Sequence, residues 1–118
     1  MTLDEAQRIL AAEVFTGDNL HSIEVDMGCG ADLMSDVLSF VKKDALLLTG
    51  LTNVQVIRTC EMAEVAAICF VRGKRPTAQA VMLARKQGLP LLFTHIPMFE
   101  SCGRLYAQGL KGCSEMND

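Results

Sequence analysis

The sequence has no excess of basic residues. Its 118 residues include 11 lysines and arginines against 14 aspartates and glutamates, a formal net charge of −3. A protein that binds along a nucleic-acid duplex needs a basic face to neutralise the phosphates. We therefore expect no nucleic-acid binding of that kind.

The sequence also lacks a long apolar run. No run approaches the roughly 20 apolar residues that a membrane-spanning helix needs. The N-terminal stretch "MTLDEAQRIL" is acidic and amphipathic, whereas a signal peptide is basic and then continuously apolar. These absences predict a cytoplasmic protein that does not bind a membrane.

The five cysteines are odd in number, and no two of them are separated by only two residues. This spacing argues against a disulfide framework, a structural zinc site and an iron–sulfur cluster. The sequence also shows no Ser-His-Asp set, no histidine pair at ligand spacing and no carboxylate dyad. We therefore expect no metal, no cofactor and no catalytic residues.

What is present begins with an N-terminal helix. Thr2 and Glu5 fit a capping box, the following apolar residues have helical spacing to about residue 15, and Gly17 can end the helix. Residues 1–17 are therefore predicted to form an N-terminal helical element. The next segment, "HSIEVDM" (21–27), alternates apolar and polar residues, which predicts a strand with one wet face near a sheet edge.

From there the chain repeats a short apolar run, a loop with glycine or proline, and about ten residues with helical periodicity. Strands that are covered on both faces have such continuous apolar runs. The pattern predicts an α/β fold of three layers, helix–sheet–helix, with a mostly parallel sheet of about four strands. With half of its residues apolar, the chain is predicted to be a single domain, 1–118, with a frayed tail at 111–118. The runs are "ALLLT" (45–49), "AAICFV" (66–71) and "LPLLFT" (89–94).

Four loops are expected at the carboxyl edge of this sheet, where parallel sheets bind ligands. In "GCGAD" (28–32) the dinucleotide fingerprint is incomplete, and "TGLTN" (49–53) lacks the end of a P-loop. The simplest interpretation of both is a turn in which Asp32 and Asn53 cap helices. The other two loops are "RGKRPT" (72–77) and "THIPM" (94–98).

The cations of the 72–77 loop either keep a turn soluble or bind an anion. A cation-rich loop beside helix N-termini creates a positive region in an otherwise acidic protein, which favours an anionic small molecule as the ligand. His95 either donates to that ligand or is structural. The candidate ligand-binding residues are Gly50, Thr52, Asn53, Arg72, Gly73, Lys74, Arg75, Thr77, Thr94 and His95.

The stretch "FVRGKRPT" (70–77) carries specific structural predictions. Phe70 should be buried at the end of a central strand. Gly73 should have a positive φ or a close backbone neighbour, and a helix should begin at Pro76 or Thr77.

The chain from about Gly30 to Leu110 resembles a stand-alone DRTGG domain. The resemblance consists of a strand ending in Thr-Gly, a second strand ending near glycine, a proline before the next helix, and "GLP" before a strand ending in threonine. The motif's letters differ: Gly50, Leu51 and Thr52 replace Gly-Asp-Arg, and Val71, Arg72 and Gly73 replace Thr-Gly-Gly.

DRTGG domains also occur in HPr kinase/phosphorylase and in some inorganic pyrophosphatases. The resemblance implies regulation or ligand sensing without catalytic residues, in anaerobic bacteria and linked to iron hydrogenase or NADH-linked electron transfer. Our first hypothesis is therefore a non-enzymatic regulatory domain for a nucleotide or phosphometabolite.

Two other functional classes stay open. The last helix has more apolar residues than one buried face needs, which favours a homodimer or a surface for a partner enzyme; these residues are Met98, Phe99, Leu105 and Tyr106. An enzyme using His95 or Cys29 is the third reading. Cys29 is expected in a loop beside a helix N-terminus, where the pKa of a thiol is lowered, but neither residue has an orienting partner in the sequence.

Overall fold

The computed structural model describes residues 1–115 and is built on one six-stranded sheet. The strand order is β1-β5-β4-β3-β2-β6, in which β1 is antiparallel to β5 and all other neighbours are parallel. The α/β fold with a mostly parallel sheet is confirmed, with six strands instead of about four. The strands are β1 (Glu13–Thr16), β2 (Met27–Gly30), β3 (Leu46–Thr49), β4 (Ala67–Phe70), β5 (Leu91–Phe93) and β6 (Lys111–Gly112).

Five α-helices cover the two faces of the sheet. One buried cluster joins apolar side chains of α1 and α5 to one face, and a second joins those of α2, α3 and α4 to the other. The three-layer arrangement is therefore confirmed. The helices are α1 (Leu3–Ile9), α2 (Met34–Phe40), α3 (Val54–Ala63), α4 (Ala78–Gln87) and α5 (Met98–Ala107).

The central strands β3, β4 and β5 lie within the three apolar runs of the sequence. Every residue of these strands is buried, because helices cover both faces of the sheet. Phe70 at the end of β4 is fully buried, as predicted. Continuous apolar character therefore located the centre of the sheet correctly.

The N-terminal helix is shorter than predicted. Thr2 and Glu5 form the capping box, but α1 ends at Ile9, and the next residues turn at Ala11, which has a φ of 50°. The chain then forms β1, which pairs with β5 and has a shift in register between Val14 and Thr16. The prediction of a helix to residue 15 is wrong, because pairing with the free side of β5 outweighs the helical spacing of these residues.

The predicted strand at 21–27 is also wrong. The segment holds a single turn of 3₁₀ helix, Leu20–Ser22, and one bridge between Thr2 and Glu24. The main chain of this segment forms hydrogen bonds with the first residues of the chain: Leu3 N donates to Ile23 O, and Val25 N donates to Met1 O. Ile23 and Val25 of the alternating pattern thus pack in the same buried cluster as α1, whereas Met27 is the first residue of β2.

The strand in this region is β2, which includes the "GCG" predicted to be a loop. Its residues pair in register with Leu46, Leu47 and Leu48 of β3. Gly28 and Gly30 lack side chains where neighbours come close: a Cβ on Gly28 would lie 2.9 Å from Leu110 Cδ2. Glycine at position 28 therefore lets the Leu110 side chain, which follows α5, pack close to β2.

The C-terminal residues 111–113 are ordered by the sheet. Lys111 and Gly112 pair with Met27 and Gly28, and Cys113 is buried. The prediction of a frayed tail is wrong for these residues, while residues 116–118 lie outside the described part of the chain. Within residues 1–115 no helix has the length and apolar character to cross a membrane.

Candidate functional site

The carboxyl ends of β3, β4 and β5 bring the predicted site residues to one edge of the sheet. Main-chain hydrogen bonds connect the three loops: Thr77 N donates to Thr52 O at 3.0 Å, and Gly73 N donates to Thr94 O at 3.1 Å. Arg72 N also donates to Ile96 O at 3.0 Å. The three loops, 50–53, 72–77 and 94–95, therefore form one connected surface.

Gly50 lies between a cation and a carboxylate. A Cβ on Gly50 would lie 3.1 Å from Arg72 Nη2 and 3.3 Å from Asp32 Oδ1. The Gly50 N–H donates to Asp32 Oδ1 at 2.6 Å, and Thr49 Oγ1 donates to the same oxygen at 3.4 Å. A side chain at position 50 would therefore push these groups apart.

Asp32 is the site residue that sequence reasoning missed. It was assigned as a helix cap, but α2 begins after Leu33 and has no side-chain cap. Asn53 does cap α3, with Oδ1 accepting from Gln55 N at 3.1 Å. Only the pairing of β2 with β3 brings Asp32 to Gly50, and that pairing involves the segment predicted to be a loop.

Gly73 and His95 form the second contact between loops. Gly73 has a φ of 69°, as predicted, and a Cβ there would lie 3.2 Å from His95 Nδ1. The exposed His95 ring meets the Phe93 ring edge to face, with 5.0 Å between centroids. His95 is thus held beside the cation-bearing loop.

The three cations of this loop have different environments. Arg75 lies over the Phe93 ring, with Cζ 4.5 Å from its centroid, and 5.8 Å from the Phe15 centroid. Such a contact attracts a guanidinium to the ring face. Arg72 and Lys74 are exposed to solvent. Arg75 therefore covers the end of β5, whereas the Arg72 guanidinium lies beside Gly50.

The two threonines have structural bonds. Thr77 Oγ1 accepts from Ala80 N at 3.2 Å and caps α4, which begins at Ala78, one residue after Thr77 and two after Pro76, the two predicted starts. Thr94 Oγ1 is buried and donates to Leu10 O at 2.6 Å. Both hydroxyls hold the loops in place.

Main-chain amides of the same loops donate within the protein. Gly50 N binds Asp32, Leu51 N binds Thr49 Oγ1 at 3.1 Å, and Lys74 N binds Val71 O at 3.1 Å. The amides of residues 72, 73 and 77 are bonded as described above. These six amides are therefore not free for an anion, and the side chains of Arg72, Lys74 and His95 are the groups that could hold one.

The thiol chemistry differs from the sequence expectation. Burial, and then the neighbouring Cys113, raise the pKa of Cys29 to about 12, whereas the loop prediction implied a lowered pKa. A thiol that stays protonated is a poor nucleophile at neutral pH. Within residues 1–115, no group of three or more His, Cys, Asp or Glu side chains could hold a metal ion.

A cleft of about 330 Å³ lies between α5 and the edge formed by β2 and β6. Phe99 and Tyr106 are two of its lining residues and are 88% and 60% exposed. Leu105, which was also expected on an interaction surface, is buried in the core, and Met98 is half-buried. The exposed apolar surface of α5 is therefore smaller than predicted.

No family model matches this chain, and no curated protein matches it either. A solved structure does: the CBS and DRTGG domains of the regulatory region of Clostridium perfringens pyrophosphatase, complexed with its activator diadenosine tetraphosphate. The match has a TM-score of 0.76 at 18% sequence identity and covers 99% of this chain and 50% of that one. The likeness is one of fold. This chain spans about half the length of the pyrophosphatase fragment.

Proposed function

We propose that this chain is a non-catalytic regulatory domain of the DRTGG type, which binds an anionic small molecule at the carboxyl edge of its sheet. The observation that carries the proposal is the contact between three loops at this edge, which places Arg72 beside Gly50 and His95 beside Gly73. The ligand class is a nucleotide or a phosphorylated metabolite.

The local charge supports an anionic ligand. Arg72, Lys74 and His95 are exposed near the starts of α3 and α4, two helices of ten residues whose N-termini carry partial positive charge. Because the amides of residues 50, 51, 72, 73, 74 and 77 are bonded within the protein, these positions contribute to affinity through their side chains. Asp32 opposes binding, since its carboxylate lies in contact with the Gly50 loop.

Nucleotides are the first ligands to test. The pyrophosphatase region with the similar fold is complexed with diadenosine tetraphosphate, and the sequence resemblance to DRTGG domains implies ligand sensing. A polyphosphate also suits a surface with several separate cations, because each charged contact adds to the total.

The test is a thermal-shift screen of nucleotides, dinucleoside polyphosphates and phosphorylated metabolites, followed by titration calorimetry. A ligand at 100 times its Kd should stabilise the protein by about 2.7 kcal/mol. The proposal in this form is wrong if no member of the panel shifts the Tm.

Variants then locate the site. Arg72→Ala should weaken binding at least about tenfold, because it removes a charge-assisted contact. Arg58→Ala is the matched control, since it removes an exposed cation from the middle of α3. Equal loss in both variants would mean that the ligand responds only to overall charge.

Removing the charge of the Asp32 carboxylate should have the opposite effect on the affinity for the anion. Asp32→Asn keeps an oxygen that can accept from Gly50 N but removes the negative charge. We expect tighter binding of the same anion. Weaker binding would indicate that Asp32 contacts the ligand through a cation or a hydroxyl group.

A second candidate function is a protein-interaction module, either a homodimer or a scaffold for a partner enzyme. The exposure of Phe99 and Tyr106 beside an apolar cleft favours it. Sedimentation velocity over a range of concentrations tests self-association, with Phe99→Ser as the variant that should weaken it. A monomer at all concentrations would leave only the partner-enzyme form.

The resemblance also implies a partner, and we include it in the proposal: an iron hydrogenase or an NADH-linked electron-transfer component in the cytoplasm of an anaerobe. Titration of a purified iron hydrogenase with this protein tests the idea, with and without the best nucleotide. A change in hydrogenase activity that requires the nucleotide would support regulation, and no binding would contradict it.

A further inference from the structure

Two thiols meet where β2 and β6 pair. Gly28 lies opposite Gly112 in this parallel pair, so that Cys29 and Cys113 occupy the next positions along the two chains. Both side chains pack on the sheet face that α2 and α3 cover. After burial, the neighbouring Cys113 thiol is the largest cause that raises the pKa of Cys29.

The other three cysteines have different surroundings. Cys69 and Cys102 belong to the cluster on the opposite face of the sheet. Cys60 is buried in α3, and burial alone raises its pKa. The strand pairing therefore singles out Cys29 and Cys113 as the two cysteines that follow a paired position on adjacent strands, although all five cysteines are free thiols.

The pair is also accessible. A cleft of about 470 Å³ is lined by both cysteines and by Phe40, Lys42 and Ser114. Cys29 is half-buried and Cys113 is 8% exposed. A small reagent in this cleft would therefore reach Cys29 first.

The backbone geometry suits a covalent link. Neighbouring strands lie about 4.8 Å apart, and disulfides join residues whose Cα atoms are about 4.4–6.8 Å apart. The pairing of Gly28 with Gly112 fixes the two chains next to the cysteines. We propose that Cys29 and Cys113 are a site of reversible oxidation, at which an intramolecular disulfide ties the C-terminal segment to β2.

The oxidant is a low-molecular-mass disulfide such as oxidised glutathione. The Cys29 thiol loses its proton, its sulfur attacks one sulfur of the reagent, and the reagent's S–S bond breaks to release one small thiol that takes the proton. Cys113 then attacks the mixed disulfide in the same way and releases the second small thiol. The two cysteines lose two electrons and two protons, and the reagent gains them.

The thiol environment sets the rates. The raised pKa of Cys29 means that little thiolate is present at neutral pH, so oxidation should accelerate as the pH rises. The carboxyl group of Asp36 and the neighbouring thiols disfavour the thiolate, and Lys42 is the cation that lines the same cleft. A thiol of high pKa is also a poor leaving group, so the disulfide should resist reduction once formed.

The experiment treats the folded full chain with oxidised glutathione at mildly alkaline pH. Free thiols are then alkylated, and the cross-linked peptides are mapped by mass spectrometry after digestion without reductant. We expect a loss of two of the five thiols and one peptide pair that joins Cys29 to Cys113. The oxidised protein should melt at least about 5 °C higher than the reduced protein, because the link constrains the unfolded chain.

Two variants complete the test. Cys29→Ser should keep all of its remaining thiols, whereas Cys102→Ser, on the opposite face, should still form the disulfide. The proposal is wrong if the folded protein keeps five thiols, or if the peptide map shows another pair or an intermolecular link. The peptide map is made on the chain without substitutions, so its result still stands if a variant fails to fold. The proposal is independent of the anion site.

Discussion

The central strands and the β2/β6 edge are stabilised in different ways. In β3, β4 and β5 every side chain is apolar or buried threonine, and helices cover both faces. At the edge, β2 contains two glycines and β6 has only two residues. The centre therefore depends on the burial of large side chains, and the edge on the close approach of main chains.

The comparison shows that glycine is needed for two different physical reasons in the same fold. Gly73 lies in the turn that follows β4 and has a φ of 69°, whereas Gly30 is the last residue of β2. At Gly30 the missing side chain is what matters, since a Cβ would lie 2.9 Å from both Cys102 Sγ and Met98 Sδ. The first glycine is needed for its backbone angles and the second for space.

The largest expected effect is in the centre. Phe70→Ala should lower the free energy of unfolding by about 3–5 kcal/mol, because it empties a fully buried position. Phe99→Ala is the matched control: this ring is 88% exposed, and its loss should change stability by less than about 0.5 kcal/mol. Urea unfolding measures both, and similar losses would contradict the assignment of the core.

A smaller effect is expected at the edge. Gly30→Ala should cost about 1–3 kcal/mol, because the Met98 and Cys102 side chains must repack around the added methyl group. Gly103→Ala in α5 is the control, since a Cβ there meets no atom within 4 Å. This change should stabilise the protein by about 0.5–1 kcal/mol, as alanine favours a helix over glycine. The comparison fails if both substitutions have the same sign.

The pH dependence of stability offers a third test. Burial, and to a lesser extent Cys102, raises the pKa of Cys69 in β4 to about 12. The Cys69 thiol of the folded protein thus keeps a proton that the unfolded chain loses near pH 8.5–9. The stabilisation that comes from this thiol is therefore complete below that pH and falls as the pH rises towards about 12. Over this range this one thiol should lower the free energy of unfolding by about 1.4 kcal/mol per pH unit.

Cys69→Ala should make the free energy of unfolding fall less steeply with pH in the alkaline range, by the contribution of one thiol, whatever its effect on stability at neutral pH. Urea unfolding at a series of alkaline pH values measures the slope. An unchanged slope would mean that the thiol ionises in the folded protein as easily as in the unfolded chain.

The smallest effect concerns the loop between β4 and α4. Thr77→Ala removes the cap of α4 and should cost about 1 kcal/mol, because Ala80 N loses its acceptor. Gln79→Ala, an exposed position in the same turn, should change stability by less than about 0.5 kcal/mol. If the two variants have equal stability, main-chain bonds such as Thr77 N to Thr52 O hold this loop without the cap.

The sequence predicted the parts of the fold that local patterns determine. Continuous apolar runs located β3, β4 and β5, and the capping residues Asn53 and Thr77 located the starts of α3 and α4. The three loops of the candidate site follow directly from these elements. Their connection at one edge was therefore predictable.

The parts that depend on distant partners were not predictable. β1 exists because β5 offers a free side, β2 because Leu46–Leu48 lie beside a glycine-rich segment, and β6 because β2 offers the next side. The position of Asp32 depends on the same pairing. Long-range contacts of this kind leave no local periodicity in the sequence.

The two outer strands have a consequence for the protein at high concentration. β1 is interrupted by a shift in register between Val14 and Thr16 and carries the exposed Glu13, while β6 offers only two residues. Aggregation through sheet edges needs a long, flat strand with a row of free main-chain groups. Within residues 1–115 neither end of the sheet presents one, so concentrated solutions should not grow fibrils by adding sheet to sheet.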